Sequence, residues 1–455
     1  MSIEKQKNLS GFQKFLDFAF KLDDEFRAEF KEHWRVLVAA VVVMFFAFAA
    51  PAFATPFLIK SVIQEFGWTR EQAMLVISFK YLTGAVFSIL VGYLIDRVGV
   101  RKMLVALSAL GGFALLSFLM TSNLPTYYFG GVLLGMATPG TIVAVKVLVS
   151  RTYLNCQGTA MGISLVGVGL GGMFVSAIIP HVFGALEWRL GMAVLSLGIW
   201  LVALPMLLFF LPKNTFDRVD SVRAVSARKE GVPVAMGPPA AKIKESDAAV
   251  SLLLRDHRFW LIGFVVAVAG LVDQAFIQHL VIYFEIDLGM QPTTVGYFVS
   301  GYFLIGLLCR PMIGNFFDAQ STKGVASLYA VLSVSCLLAL AVTNPIIMFF
   351  FIVFRAVGHA AVLMDTVILA KHVFGNRGLG FLLGVYTAFV NLGFATGPWL
   401  LARIYDATGS YQFGFILFSA LAALAAICLW FFLKPEYWMK VRDEKVSASV
   451  SSAAV

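Results

Sequence analysis

The chain has 455 residues, of which 60% are hydrophobic, 14% aromatic and only 13% charged. A soluble domain carries about 25% charged residues, so too little polar surface is present to cover a soluble body of this size. That excludes a disordered chain, a secreted disulfide scaffold and a soluble enzyme, and it identifies an integral membrane protein. The net charge of +9 does not indicate nucleic acid, because in a membrane chain the placement of basic residues matters more than their sum.

The opening stretch, MSIEKQKNLSGFQKF, lacks the basic-then-apolar profile of a cleaved signal peptide. The first apolar segment is therefore expected to serve as the targeting signal. Phe12, Phe15, Leu22, Phe26, Phe30 and Trp34 recur near a 3.6-residue period with charges between them. Residues 1–34 thus read either as an amphipathic helix on the cytoplasmic membrane face or as a helical lead-in packed on the bundle.

Twelve apolar runs follow, at 35–58, 72–95, 103–122, 127–149, 159–182, 190–211, 258–284, 293–316, 325–343, 345–371, 379–402 and 411–433. Each is near the ~20 residues that a helical span requires. Helices are the spanning form that fits, because they satisfy every backbone hydrogen bond internally and the alternation of a barrel strand is absent. Residues 212–257 interrupt the series with Pro, Gly and charge, as in GVPVAMGPPAAKIKESD, the composition of a linker. The expected fold is an all-α membrane protein: a six-helix bundle at 35–211, a cytoplasmic linker at 212–257, a second six-helix bundle at 258–433 and a cytoplasmic tail at 434–455.

With the termini, the linker and the even-to-odd loops on one side, that side collects about 27 of the 35 basic residues, including Arg97, Arg101, Lys102, Arg151 and Lys323. The other side holds Lys60, Arg70, Arg189 and Arg403. Positive charge stays inside, which places both termini in the cytoplasm of a plasma membrane, the inner membrane in a prokaryote. Cys156, Cys309, Cys336 and Cys428 form no readable disulfide framework. No P-loop and no HExxH spacing appear, so neither enzymatic chemistry nor a cofactor is expected.

After the second run comes GYLIDRVGVRK, with Gly92 allowing close helix contact, Asp96 at a helix end, Gly99 permitting a tight turn, and Arg97, Arg101 and Lys102 as partners. A weaker copy, GNFFDAQSTKG, occupies the equivalent place after the eighth run and keeps Gly314, Asp318 and Lys323. Such paired loops are what a parallel duplication of six helices produces. The first loop resembles the signature of the major facilitator superfamily, in which the acid and base bridge two helices and hold one conformation closed. EFGWTREQA, QGTAMGISLVGVGLGG and ATGPWLLARIYDATGSYQFGF resemble its monocarboxylate transporter-like branch, and LLRDHRFWLIGF and LLCRPMIGNFFD also resemble the oxalate:formate antiporter group.

The resemblance implies that Arg310, before Pro311, binds a substrate carboxylate, and a guanidinium suits that role because it stays charged and offers a planar fork. Snorkelling to the headgroups is the structural alternative. The chain departs from those groups at three places: Gly306 where an acid precedes the Arg, Phe57 where the first span carries a Lys, and Tyr386 where the eleventh span carries a second cation. One firm cation in the second half favours a monoanion over a dicarboxylate.

Ionisable groups inside a span cost about 2.5–3.5 kcal/mol or more and are functional candidates by default. Asp273 is the first candidate for proton coupling, with His359 and Arg355 one turn apart on the tenth run as further candidates or as its ion-pair partners. Lys80 either replaces the missing first-span cation or snorkels towards the outer interface, and Tyr302, Tyr386 and Asn391 offer neutral hydrogen bonds to a substrate. Asp365 is expected to cap or pair locally, and Lys146 to reach water. The expected function is secondary transport of a small organic monoanion by alternating access, coupled to protons. The alternatives are an organic anion exchanger, a drug exporter and a non-transporting sensor on the same fold. The partners are the anion, protons and the lipid bilayer, with no nucleic acid, and a monomer is the expected assembly.

Overall fold

The computed structural model describes residues 24–153, 157–211, 255–374 and 379–436. Among them every regular element is helical. Helix α1 runs over 24–66 with a π turn at Met44–Ala49. It is followed by α2 (Arg70–Val98), α3 (Val100–Met120) and α4 (Leu124–Thr152). The next continuous stretch reverses at Glu187, whose φ of 59° lies outside helical space, and this separates α5 (157–186) from α6 (188–210). In the second half α7 spans His257–Asp287, and a similar reversal at Ser321 (φ 55°) separates α8 (292–320) from α9 (322–341). Helix α10 consists of Pro345–Val362 and Asp365–Phe374 with a break between them. Helices α11 (Leu379–Thr408) and α12 (Gln412–Phe432) complete the set. Among the described residues twelve helical stretches result, each long enough to cross a bilayer.

Residues 24–34 continue without a break into the first span, and Trp34 packs edge-on against Phe210 at 5.8 Å. This part of the N-terminal segment is a lead-in to α1. Phe12, Phe15 and Leu22 lie outside the described residues, as do Cys156, most of the linker (212–254) and the tail beyond Glu436.

The helices gather into two compact units. The first takes the described parts of Met1–Ser61, Leu82–Pro239 and Gln291–Leu304, and the second those of Val62–Tyr81, Ala240–Met290 and Ile305–Val455. Within the first unit, α1 and α5 approach backbone to backbone. A Cβ on Gly167 would overlap the Val41 carbonyl, and one on Gly171 would overlap Ala49. Within the second unit, α7 and α11 meet in the same way, with Gly393 seated on the Ala267 carbonyl and Gly397 on that of Leu271. Both pairs use GxxxG spacing, which brings two small positions onto one face, and close packing replaces the hydrophobic drive that lipid cannot supply. The first and fifth helices of each half therefore pair alike, as a duplicated six-helix unit requires.

Candidate functional site

In the second unit α7 and α10 bury an ion cluster. Asp273 is 0% exposed, and its Oδ1 accepts from Arg355, which also donates to the Asp273 main-chain carbonyl at 3.0 Å. Oδ2 accepts from His359 Nδ1 at 2.8 Å. The 3.6 period sets Arg355 and His359 on one face of α10, and that face turns to α7. The Arg355 guanidinium also lies 5.0 Å over the Phe276 ring. Both carboxylate oxygens are engaged, which offsets the desolvation cost of the Asp273 charge, while the buried Arg355 Nε and Nη1 make no hydrogen bond to a described residue.

Lys80 on α2 is 3% exposed, and among the described residues no carboxylate lies within 4.0 Å of it. Its Nζ is 5.3 Å from the Tyr81 ring, and Tyr81 meets Phe394 of α11 edge-on at 5.1 Å. Ser78, half a turn earlier, donates to the Ala395 carbonyl at 2.6 Å. Arg310 is half-buried on α8, and Asn391 is half-buried on α11. Tyr386 is buried with its ring 5.5 Å from Phe259, and its hydroxyl makes no hydrogen bond to a described residue. Tyr302 belongs to the first unit and is buried with its ring 4.9 Å from Phe303. The second unit therefore holds Lys80, Arg310, Tyr386, Asn391 and the Asp273 cluster, but not Tyr302.

In the first loop motif Gly99 has φ +91° and turns the chain from α2 into α3, with its N–H donating to the Ile95 carbonyl. Arg97 is exposed, and Arg101 donates to the Leu208 carbonyl at 2.8 Å. The expectations for the side chains of Asp96 and Asp318, and for the packing of Gly92, lie outside the described residues. Lys146 is exposed, as expected.

Sequence reasoning gave no role to a second cluster. Arg70, at the start of α2, holds Asp287 of α7 with two parallel bonds of 2.8 and 3.0 Å, stacks 3.6 Å over Tyr405 and donates to the Tyr411 hydroxyl at 2.6 Å. Arg70 can only donate, so the Tyr411 hydrogen is directed at His279 Nδ1, 2.6 Å away. The Pro398 carbonyl can only accept, so His279 Nε2 carries the other hydrogen at 2.9 Å. Glu71 binds Arg403 and the Trp399 indole, while Asp406 accepts from the Arg70 and Glu71 main-chain N–H groups. A local signal was present, since Thr69 and Gln72 cap each other reciprocally in a Thr-x-x-Gln capping box. It marks where α2 begins, but not what that end touches. Asp365, expected from the sequence to cap or pair locally, opens the second segment of α10 and accepts from the Tyr329 hydroxyl of α9 at 2.6 Å.

Twelve spanning helices with charged side chains buried along them define a polytopic membrane carrier. A family model described as Major Facilitator Superfamily matches residues 36–319 and 264–452, and the chain belongs to that superfamily. It is a transporter and not an enzyme. It is 22% identical over 400 residues to the nitrite extrusion protein of Bacillus subtilis (strain 168), covering 87% of this chain and 93% of that one. It is 23% identical over 425 residues to the hexuronate transporter of the same organism, covering 88% and 93%. Among solved structures, a peptide transporter POT in complex with sulfate aligns with a TM-score of 0.65 at 14% identity, covering 87% of this chain and 93% of that chain. A D-xylose–proton symporter aligns with 0.66 at 12% identity, covering 90% and 99%. The twelve-helix major facilitator fold follows from these alignments.

Proposed function

We propose that this carrier moves a small organic monoanion together with a proton across the plasma membrane, by alternating access, with both termini in the cytoplasm. Lys80 carries the reading: it is a buried cation within a span and has no acid beside it among the described residues. A charge in that position is retained where an anion visits it. Arg310, half-buried on α8, is assigned the carboxylate fork. The resemblance to the monocarboxylate transporter-like and oxalate:formate branches supports an organic anion. The names of two relatives support an anion of single charge, since nitrite and hexuronate are both monoanions, and hexuronate is organic. Tyr302, Tyr386 and Asn391 remain candidates for neutral contacts. The Asp273–Arg355–His359 cluster, in which both Asp273 oxygens accept from basic side chains, is assigned to the framework of the second unit. The charge bias of the loops supports the orientation.

The experiment is uptake of labelled lactate, galacturonate and nitrite into proteoliposomes, with an inward proton gradient and without one. Lys80→Met and Arg310→Ala are each expected to abolish saturable uptake while the protein stays folded in the membrane. Undiminished uptake by both variants removes the anion assignment. Full-rate counterflow combined with indifference to the gradient makes the carrier an exchanger.

A further inference from the structure

Asp365 opens the second segment of α10, immediately after the helix breaks at Leu363 and Met364. It is 0% exposed. Its Oδ2 accepts a 2.6 Å hydrogen bond from Tyr329 of α9, while the buried Oδ1 accepts none from any described residue. No described Lys, Arg or His lies within 4.0 Å of the carboxyl. The titratable groups acting on it are Tyr329 from α9 and Asp273 from α7. Arg355 and His359 form their ion pairs with Asp273, and neither lies within 4.0 Å of the Asp365 carboxyl.

The two buried acids of this unit are therefore unlike each other. One is held between two basic side chains. The other has only neutral donors, the Tyr329 hydroxyl and the Thr366 main-chain N–H, and a like charge as its neighbour. Burying an unpaired carboxylate costs far more than burying the neutral acid, and a nearby like charge widens that gap. The start of a helix segment favours an anion, but only neutral hydrogen bonds, from Tyr329 and the Thr366 main-chain N–H, add to it here.

We infer that Asp365 is the proton site of this carrier, binding the proton on Oδ1 while Tyr329 holds Oδ2, and releasing it to water when that end of the tenth span is solvated. In one step an O–H bond forms at Oδ1 with a proton from one side. In the other, the same bond breaks and the proton leaves to the other side, so the charge of one transported anion is balanced. The inference rests on the proton-coupled reading above and moves the coupling role from Asp273 to Asp365.

Infrared difference spectroscopy of the purified full-length protein tests it without a substrate. Wild type is expected to show a protonated-carboxyl band at pH 7 that disappears on alkaline titration, and Asp365→Asn to lack that band. Tyr329→Phe is expected to keep the band but shift its frequency and titration midpoint, which supplies a second readout if Asp365→Asn folds poorly. Absence of the band from wild type at pH 7, or its persistence in Asp365→Asn, overturns the inference. In proteoliposomes with lactate, galacturonate and nitrite, Asp365→Asn is expected to lose gradient-driven uptake and to keep counterflow. Gradient-driven uptake that survives the substitution overturns the coupling role. A titrating band in a protein that carries none of the three anions leaves the proton site standing and removes the anion reading instead.

Discussion

Arg70 and Asp287 form a bidentate ion pair although 217 residues separate them. The pair joins the first residue of α2 to the last residues of α7, with the Tyr405 ring beneath the guanidinium and the Tyr405 hydroxyl donating to Asp287 Oδ1 at 2.7 Å. Both side chains are largely out of water, so removing one strands the other. Arg70→Ala is expected to destabilise the protein by about 3 kcal/mol. Arg70→Lys keeps the charge but loses the fork, and recovers only part of that loss. A double-mutant cycle with Asp287→Asn, read by thermal unfolding in detergent, should give a coupling of at least ~1 kcal/mol; strictly additive losses refute the pairing.

Asp273 is expected to act through structure. Asp273→Asn leaves Arg355 buried without its counter-charge and is expected to cost about 3–5 kcal/mol. The paired replacement Asp273→Leu with Arg355→Met removes both charges and should be markedly more stable than Asp273→Asn alone, because an apolar pair carries no desolvation cost. Chemical unfolding of the three proteins decides this. A double variant no better than the single one means that the cluster is not a compensated ion pair.

The close approaches at glycine predict a graded series. Gly393→Val and Gly397→Val place side-chain atoms where α7 main-chain carbonyls already sit, so α7 and α11 must separate, at a cost of about 1–3 kcal/mol each. Gly301→Ala and Gly384→Ala meet nothing within 4 Å and are expected to be tolerated. Expression level and melting temperature should rank the four accordingly; equal effects would remove the close-packing account.

Asp256 precedes α7 and accepts from the Arg258 main-chain N–H at 2.8 Å and from the Arg258 side chain. Burial pushes its carboxyl upward, but the hydrogen bonds and charge of Arg258, together with the charge of His257, outweigh burial and hold it below the usual carboxylate range. A lowered folded value means stabilisation that is fully present above the unfolded value of about 3.9 and fades as pH falls through the folded one. Melting-temperature curves of wild type and Asp256→Asn should therefore differ at pH 6 and begin to converge only as pH falls below about 4, toward the folded value. A gap independent of pH would place the cap's contribution elsewhere.

The sequence by itself determined the spans, their number, and the turn at Gly99. Each is written locally: a span is one uninterrupted run of apolar side chains, and a left-handed turn is one residue without a Cβ. The partnership of Arg355 and His359 was also legible in part, because both lie on one helix at a fixed period. Only the tertiary structure decided that Asp273 receives both of them, that Arg70 reaches Asp287, and that Asp365 is left with a tyrosine and no cation. Those outcomes depend on which helix faces turn toward each other in the packed units. That choice is set by close approaches such as Gly393 against Ala267 and Gly397 against Leu271, between residues more than a hundred positions apart. An acid in a span reads the same in the sequence whether a guanidinium lies beside it or not, and the electrostatic cost that separates the two cases exists only once the helices have met.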